Sequence, residues 1–263
     1  MQEARVTPPA TTPKPRSRTW LWTLLIIVGA LIILGLATFL ALRIVADNTA
    51  HAYKQSLASY ETSLAKSFNG STDGATLESA MSDSQPPVLA PVPVPAASSA
   101  YQDAKQQSGT VASTVTALKK SVDDYANLNG FMKNYLDLEN QEQALVSQIK
   151  LSAAGMTHID GVQEIVAKKQ ALVSTTAAPS ESTEVMSDLT EALSDKTAAL
   201  ARLTAAARTG NYGGFNAATT ALNAASAKEE AALGTLDEQA SSLQDSLNQN
   251  VTAFNQLVAK VVK

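Results

Sequence analysis

Apolar and polar positions divide this chain into stretches of different rhythm. From Trp20 to Leu42 the sequence WLWTLLIIVGALIILGLATFLAL is apolar on every side and has no charge over 23 residues. A bilayer core about 30 Å thick needs about 20 residues of helix at 1.5 Å each, so this run predicts a transmembrane helix. It exceeds the 7–15 apolar residues usual in a cleaved signal peptide, so the expectation is a retained anchor.

The pattern then turns amphipathic. Ala46, Ala50, Tyr53, Leu57, Tyr60 and Leu64 are spaced 4, 3, 4, 3, 4, which draws one stripe down a juxtamembrane helix over 43–68. Asn69-Gly70 is a natural place for it to stop. Residues 69–98 are short-sided and polar, then rich in proline, with Pro86, Pro87, Pro91, Pro93 and Pro95. Proline lacks the N–H that a helix needs, so this stretch predicts an extended, flexible Ser/Pro-rich linker.

Helical rhythm resumes at Ser99, where Ser99 and Gln102 fit a capping box. Tyr101, Ala104, Ser108, Val111, Val115, Leu118, Val122 and Tyr125 continue a seven-residue repeat, and Gly130 is a place to bend or divide it. Gly155–Gly161 (GMTHIDG) reads as a turn, with Asp160 and Gln163 as the next cap. Val162, Ile165, Val166, Leu172 and Val173 make a short amphipathic helix that must stop before Pro179. Leu189, Leu193, Leu200 and Leu203 mark another, closed by Arg208 and Gly210. After the turn GNYGGF, a last helix runs to the end of the chain with Leu222, Leu236, Leu243, Leu247, Val251, Phe254, Leu257 and Val261 inward. The expected fold is therefore all-α. A transmembrane helix continues into a juxtamembrane helix, then a Pro-rich linker, then an antiparallel, elongated bundle of three to five helices over 99–263. Taking the first arm as straight puts the turns at 155–161 and 210–215 at opposite ends of the bundle.

Charge sets the orientation. Residues 1–19 carry Arg5, Lys14, Arg16 and Arg18 against Glu3, a net of +3, while residues 43–263 hold 16 basic and 23 acidic side chains, a net of −7. The positive-inside rule places residues 1–19 in the cytoplasm as a disordered basic tail, and the acidic bundle outside the cell membrane. Trp20 and Trp22, with Arg16 and Arg18, are the expected membrane-interface residues.

Composition removes most chemistry. With no cysteine there is no disulfide, thiolate metal site or cysteine nucleophile. His51 and His158 are the sole histidines, and neither completes the Glu-x-x-His pattern of a di-iron bundle. No phosphate-cradling glycine loop or nucleophile elbow occurs, and the acidic balance excludes a nucleic-acid binder. Glu139 and Glu142 share a helix face, as do Glu181 and Glu184, and both pairs read as solvated surface charge. Expected contact residues are Tyr212 and Phe215 in the glycine-rich turn, with Met156 and His158 in the other turn. No catalytic, cofactor or metal residue is predicted. The expected role is a non-enzymatic, single-pass envelope protein whose bundle is a scaffold or adaptor for protein partners or for copies of itself, in contact with the lipid bilayer. The alternative is a sensory or ligand-binding bundle, whose short tail leaves the output to a partner chain.

Overall fold

A computed structural model describes residues 19–70, 74–151 and 153–262. Arg16, Arg18 and the basic tail lie outside the described residues. Among those described, the chain forms six α-helices and no strand: α1 (Thr19–Gly70), α2 (Gly74–Asp83), α3 (Ser99–Val146), α4 (Ala153–Thr175), α5 (Thr183–Thr209) and α6 (Tyr212–Val262). The protein is all-helical.

One of these helices, α1, is long and apolar enough to cross a membrane. Trp20 and Trp22 fall in its first turns. Ile27, Leu31, Leu34 and Phe39 are exposed, so no described residue covers that stretch. The helix continues without a break, and from Ala46 onward one side of it becomes interior. All six residues of the stripe Ala46 to Leu64 are buried. They pack with Val111, Val115, Leu118 and Val122 of α3 and with Leu247, Phe254, Val258 and Val261 of α6. The Tyr60 ring meets Phe254 edge-on at 5.9 Å and 86°.

The segment expected to be a flexible linker is partly ordered against this lower core. Residues 74–83 form α2, which buries Leu77 and Met81. Gly74 lies so close to α3 that an added Cβ would stand 2.6 Å from the Ala126 Cα, which is why a glycine sits there. Residues 84–94, which hold four of the prolines, form no helix, and Pro95–Ala97 make one 3₁₀ turn into α3. The cap of α3 falls one residue earlier than expected: Ser98 Oγ accepts from the Tyr101 N–H at 3.0 Å.

Above Tyr125 the same inward faces of α3 and α6 continue, with α4 and α5 in place of α1 and α2. Leu128, Phe131 and Tyr135 pack there with Ile159, Val162 and Val166, with Leu189, Leu193, Leu200 and Leu203, and with Leu222 and Leu236. Two expectations fail in this half. Gly130 does not divide α3, which is one helix of 48 residues. Residues 155–161 are not a turn but part of α4, because Ile159 and Val162 give that stretch a buried face. The chain reverses instead just after Val146, through hydrogen bonds from the Gln148 N–H to the Leu145 carbonyl and from the Ile149 N–H to the Val146 carbonyl.

The decisive reversal is at Pro179, between α4 and α5. Gln163 of α4 reaches Thr204 of α5 at 3.4 Å, and Gln170 reaches Thr197 at 3.2 Å, so these two helices form an antiparallel hairpin. Extending that register by five residues brings His158 level with Thr209. The loop after Val146 and the Gly210 turn therefore share the upper end of the bundle, rather than opposite ends. Gly210 has φ 62°, the left-handed conformation that ends α5 and that glycine adopts at least cost.

Candidate functional site

Six polar side chains meet in the middle of the upper core. Each helix supplies its share by continuing its own apolar stripe. In α5, Leu189, Leu193, Lys196, Leu200 and Leu203 are spaced 4, 3, 4, 3, which puts a lysine at an inward position. In α4, Val162, Val166, Lys169 and Val173 do the same, and in α6 so do Leu222, Ala225, Glu229, Ala232 and Leu236. In α3, Tyr135 and Glu142 are seven residues apart on the buried side. The result is a stack of hydrophobic layers with one ionic layer inserted.

The ammonium groups sit at its centre. Lys169 is fully buried and donates to Glu229 Oε1 at 2.8 Å, and also to Glu139 Oε2 and Glu142 Oε2. Lys196, 1% exposed, donates to Glu142 Oε1 at 2.5 Å and to Glu229 Oε2. The Tyr135 hydroxyl donates to Glu229 Oε1 at 2.5 Å, and its ring lies 5.0 Å from the Lys169 Nζ, a cation–π contact. All three ammonium protons of Lys169 thus have carboxylate acceptors, as a buried charge requires.

The electrostatics follow from these bonds. Burial works against the Lys169 charge, but Glu229, Glu142 and Glu139 outweigh it and hold the ammonium above its ordinary pKa. For Glu229, burial opposes ionisation, but Lys196 and Lys169 prevail and hold its carboxyl below the ordinary range. Burial, and then the neighbouring Glu229, push the Tyr135 phenol far above its usual value, so it remains a donor. Three carboxylates against two ammonium groups leave one negative charge. Of the three, Glu139 lies nearest solvent, its side chain 18% exposed against 2% for Glu142 and Glu229.

Oxygens of Glu139, Glu142 and Glu229 lie within 4.8 Å of one another, close enough to share a cation. The two lysines take that part: each ammonium is a cation delivered by the chain itself. Held charged and with all three protons hydrogen-bonded, Lys169 has no free lone pair for nucleophilic work. The arrangement therefore pins four helices in register, because no one-turn slip keeps these partners.

Sequence reasoning treated Glu139 and Glu142 as surface charge. The correction is that Glu142 is interior and Glu139 lies at the edge of the same layer. The available signal was the stripe itself: Lys169, Lys196 and Glu229 each occupy a position where the heptad calls for an apolar residue. The expected contact residues lie elsewhere. Tyr212 is 73% exposed, Phe215 packs half-buried against the upper core, and Met156 and His158 are half-buried near the start of α4. By the α4–α5 register all four belong to the upper end of the bundle, remote from the ionic layer.

Comparison of the chain with family models, with curated proteins and with solved structures found no match in any of the three.

Proposed function

We infer that this chain is a non-enzymatic, single-pass membrane protein of a cell envelope, a rigid scaffold or adaptor that presents its upper end to protein partners. The apolar first half of α1 is the anchor, residues 1–19 lie in the cytoplasm, and the bundle stands outside.

The observation that carries this reading is the continuity of α1. The helix that leaves the apolar stretch is the same helix that buries Ala46, Tyr53, Leu57 and Leu64 in the lower core. Such a bundle is built onto its anchor, whereas a catalytic or binding domain on a linker would move freely. From Ser99, which starts beside Asp47, α3 rises for 48 residues, about 72 Å at 1.5 Å each. That carries the loop after Val146 and the Tyr212 turn to a fixed height above the bilayer. An exposed tyrosine at the end of a stiff shaft suits contact with a partner. The ion pairs that link α3, α4, α5 and α6 support a structural role for the ionic layer.

The test is a photo-reactive amino acid placed at Tyr212 and, separately, at Gln249 on the shaft. In intact cells the Tyr212 position is expected to give discrete cross-linked protein bands and Gln249 none. Protease added to spheroplasts is expected to digest the bundle. Absence of cross-links at Tyr212, or a bundle protected from protease, would reject the reading.

A further inference from the structure

On the outer side of the α3–α6 pair, away from α4 and α5, runs a groove of about 630 Å³. Its volume falls within the range of about 300–1,000 Å³ typical of small-ligand sites. The floor is apolar: Leu136, Val146 and Leu233 line it, and Leu136 is 46% exposed. Gly234 leaves the floor open, since a Cβ there would meet no atom within 4 Å. The walls are acidic, with Glu139, Glu230 and Asp237, and among the described residues no basic side chain lines it. Glu139 also joins this wall to the ionic layer through its ion pair with Lys169.

These carboxylates are distributed along the groove rather than gathered at a point. Glu230 and Asp237 are two helical turns apart on α6, about 10 Å. Oxygens of Glu139 and Glu229 lie within 4.8 Å of each other, so Glu139 stands near the level of the adjacent Glu230, with Asp237 two turns away. A lone metal ion or a compact cation can use only one of these levels.

The geometry points to a linear aliphatic polyamine as the ligand of this groove. Its methylene segments lie along Leu136 and Leu233, and its outer ammonium groups, two spacers of about one helical turn (~5 Å) each apart, pair with Glu139 and Glu230 at one level and with Asp237 at the other. The match is of charge sign, of spacing and of alternating apolar and ionic contact. It is independent of the adaptor role of the upper end.

The test is titration calorimetry of spermidine into the purified full chain in a neutral maltoside detergent at 150 mM sodium chloride. Saturable binding of one spermidine per chain is expected. Glu230→Gln with Asp237→Asn should weaken it about tenfold or more. Both residues are exposed, so an unchanged melting temperature will show that the fold survives. Leu136→Ser should weaken spermidine several-fold while leaving any magnesium binding unchanged. No binding at this salt, full competition by magnesium at equal charge concentration, or wild-type affinity in the double variant would overturn the proposal. So would a cationic amphipathic peptide occupying the groove where spermidine does not, which would assign it to a partner helix.

Discussion

Ser98 Oγ donates a 2.5 Å hydrogen bond to Asp47 Oδ1, which ties the first residue before α3 to α1 just above the apolar stretch. The same oxygen accepts from the Tyr101 N–H, so one hydroxyl both caps α3 and fixes its starting height. Asp47→Ala should cost about 1 kcal/mol, since the acceptor is charged but 39% exposed. Hydrogen exchange at residues 99–102 should accelerate. Arg43→Ala, which removes only an exposed 3.8 Å ion pair with Asp47, should leave exchange there unchanged.

Leu57 is fully buried between α1 and its neighbours, although it lies in the segment that continues the apolar span. Leu57→Ala should therefore destabilise the bundle by about 2–5 kcal/mol in chemical unfolding. A chain starting at residue 99 would expose Val115, Leu118, Phe254 and Val258, and hydrogen exchange should find the lower halves of α3 and α6 frayed and the upper half protected. Uniform protection of that fragment would mean that α1 adds nothing to the core.

The ionic layer predicts opposite outcomes for breaking and for replacing it. Glu142→Ala leaves two buried ammonium groups short of partners and should cost about 3–5 kcal/mol. Converting Tyr135, Glu142, Lys169, Lys196 and Glu229 together to Phe, Leu and Met side chains should be neutral or stabilising by up to about 4 kcal/mol, with loss of a unique helix register visible as broadened NMR signals.

The same layer sets a pH window. Glu229 is held below its unfolded value of 4.5, so its contribution is complete above that pH and is lost as pH falls through the lower folded value. Lys169 is held above its unfolded value of 10.5, so its contribution is complete below that pH and is lost as pH rises through the higher folded value. Melting temperature should be flat across the interval between them, as far as these two groups decide it. A fall beginning near neutrality that vanishes in the apolar replacement would contradict the charged state of the layer.

Tyr60 is buried, and its hydroxyl finds no hydrogen-bond partner among the described residues. Its ring contact with Phe254 does not need that oxygen. Tyr60→Phe should leave stability unchanged or raise it by up to about 1 kcal/mol. A loss of similar size in thermal unfolding would reveal a bound water on the hydroxyl.

Spin labels at His158 and Tyr212 should lie within about 20 Å of each other, because the α4–α5 register brings both to the upper end. Labels at Tyr212 and Asp245, 33 residues apart on α6, should be about 50 Å apart. The reverse order would restore the layout in which the two turns face opposite ends.

Much of this architecture was legible where a single stripe decides it. The stripe Ala46–Leu64 and the repeat Val111–Tyr125 are buried as their spacing demands, and Gly70 and Gly210 stand where helices end. What the stripe could not reveal was its partner. Nothing in Ala46, Leu57 or Leu64 says whether they face lipid-proximal solvent, a second chain or α3 of the same chain. Pro179 marks where α4 must stop but not the reversal that follows, because proline ends a helix without stating the direction of the next one. The ionic layer was overlooked because a lysine or glutamate costs least on a surface, and only its position within the stripe betrays it.

The unbroken course of α1 has a mechanical consequence. With the apolar stretch seated in a bilayer as proposed, a helix shared by that stretch and the bundle would make the protein a lever pivoting in the bilayer. A change of about 10° in the inclination of the span would sweep the Tyr212 end sideways by about 12 Å, given an arm of about 72 Å. Membrane thickness and the packing of neighbouring spans would thereby set how far to the side of the span that tyrosine can be met.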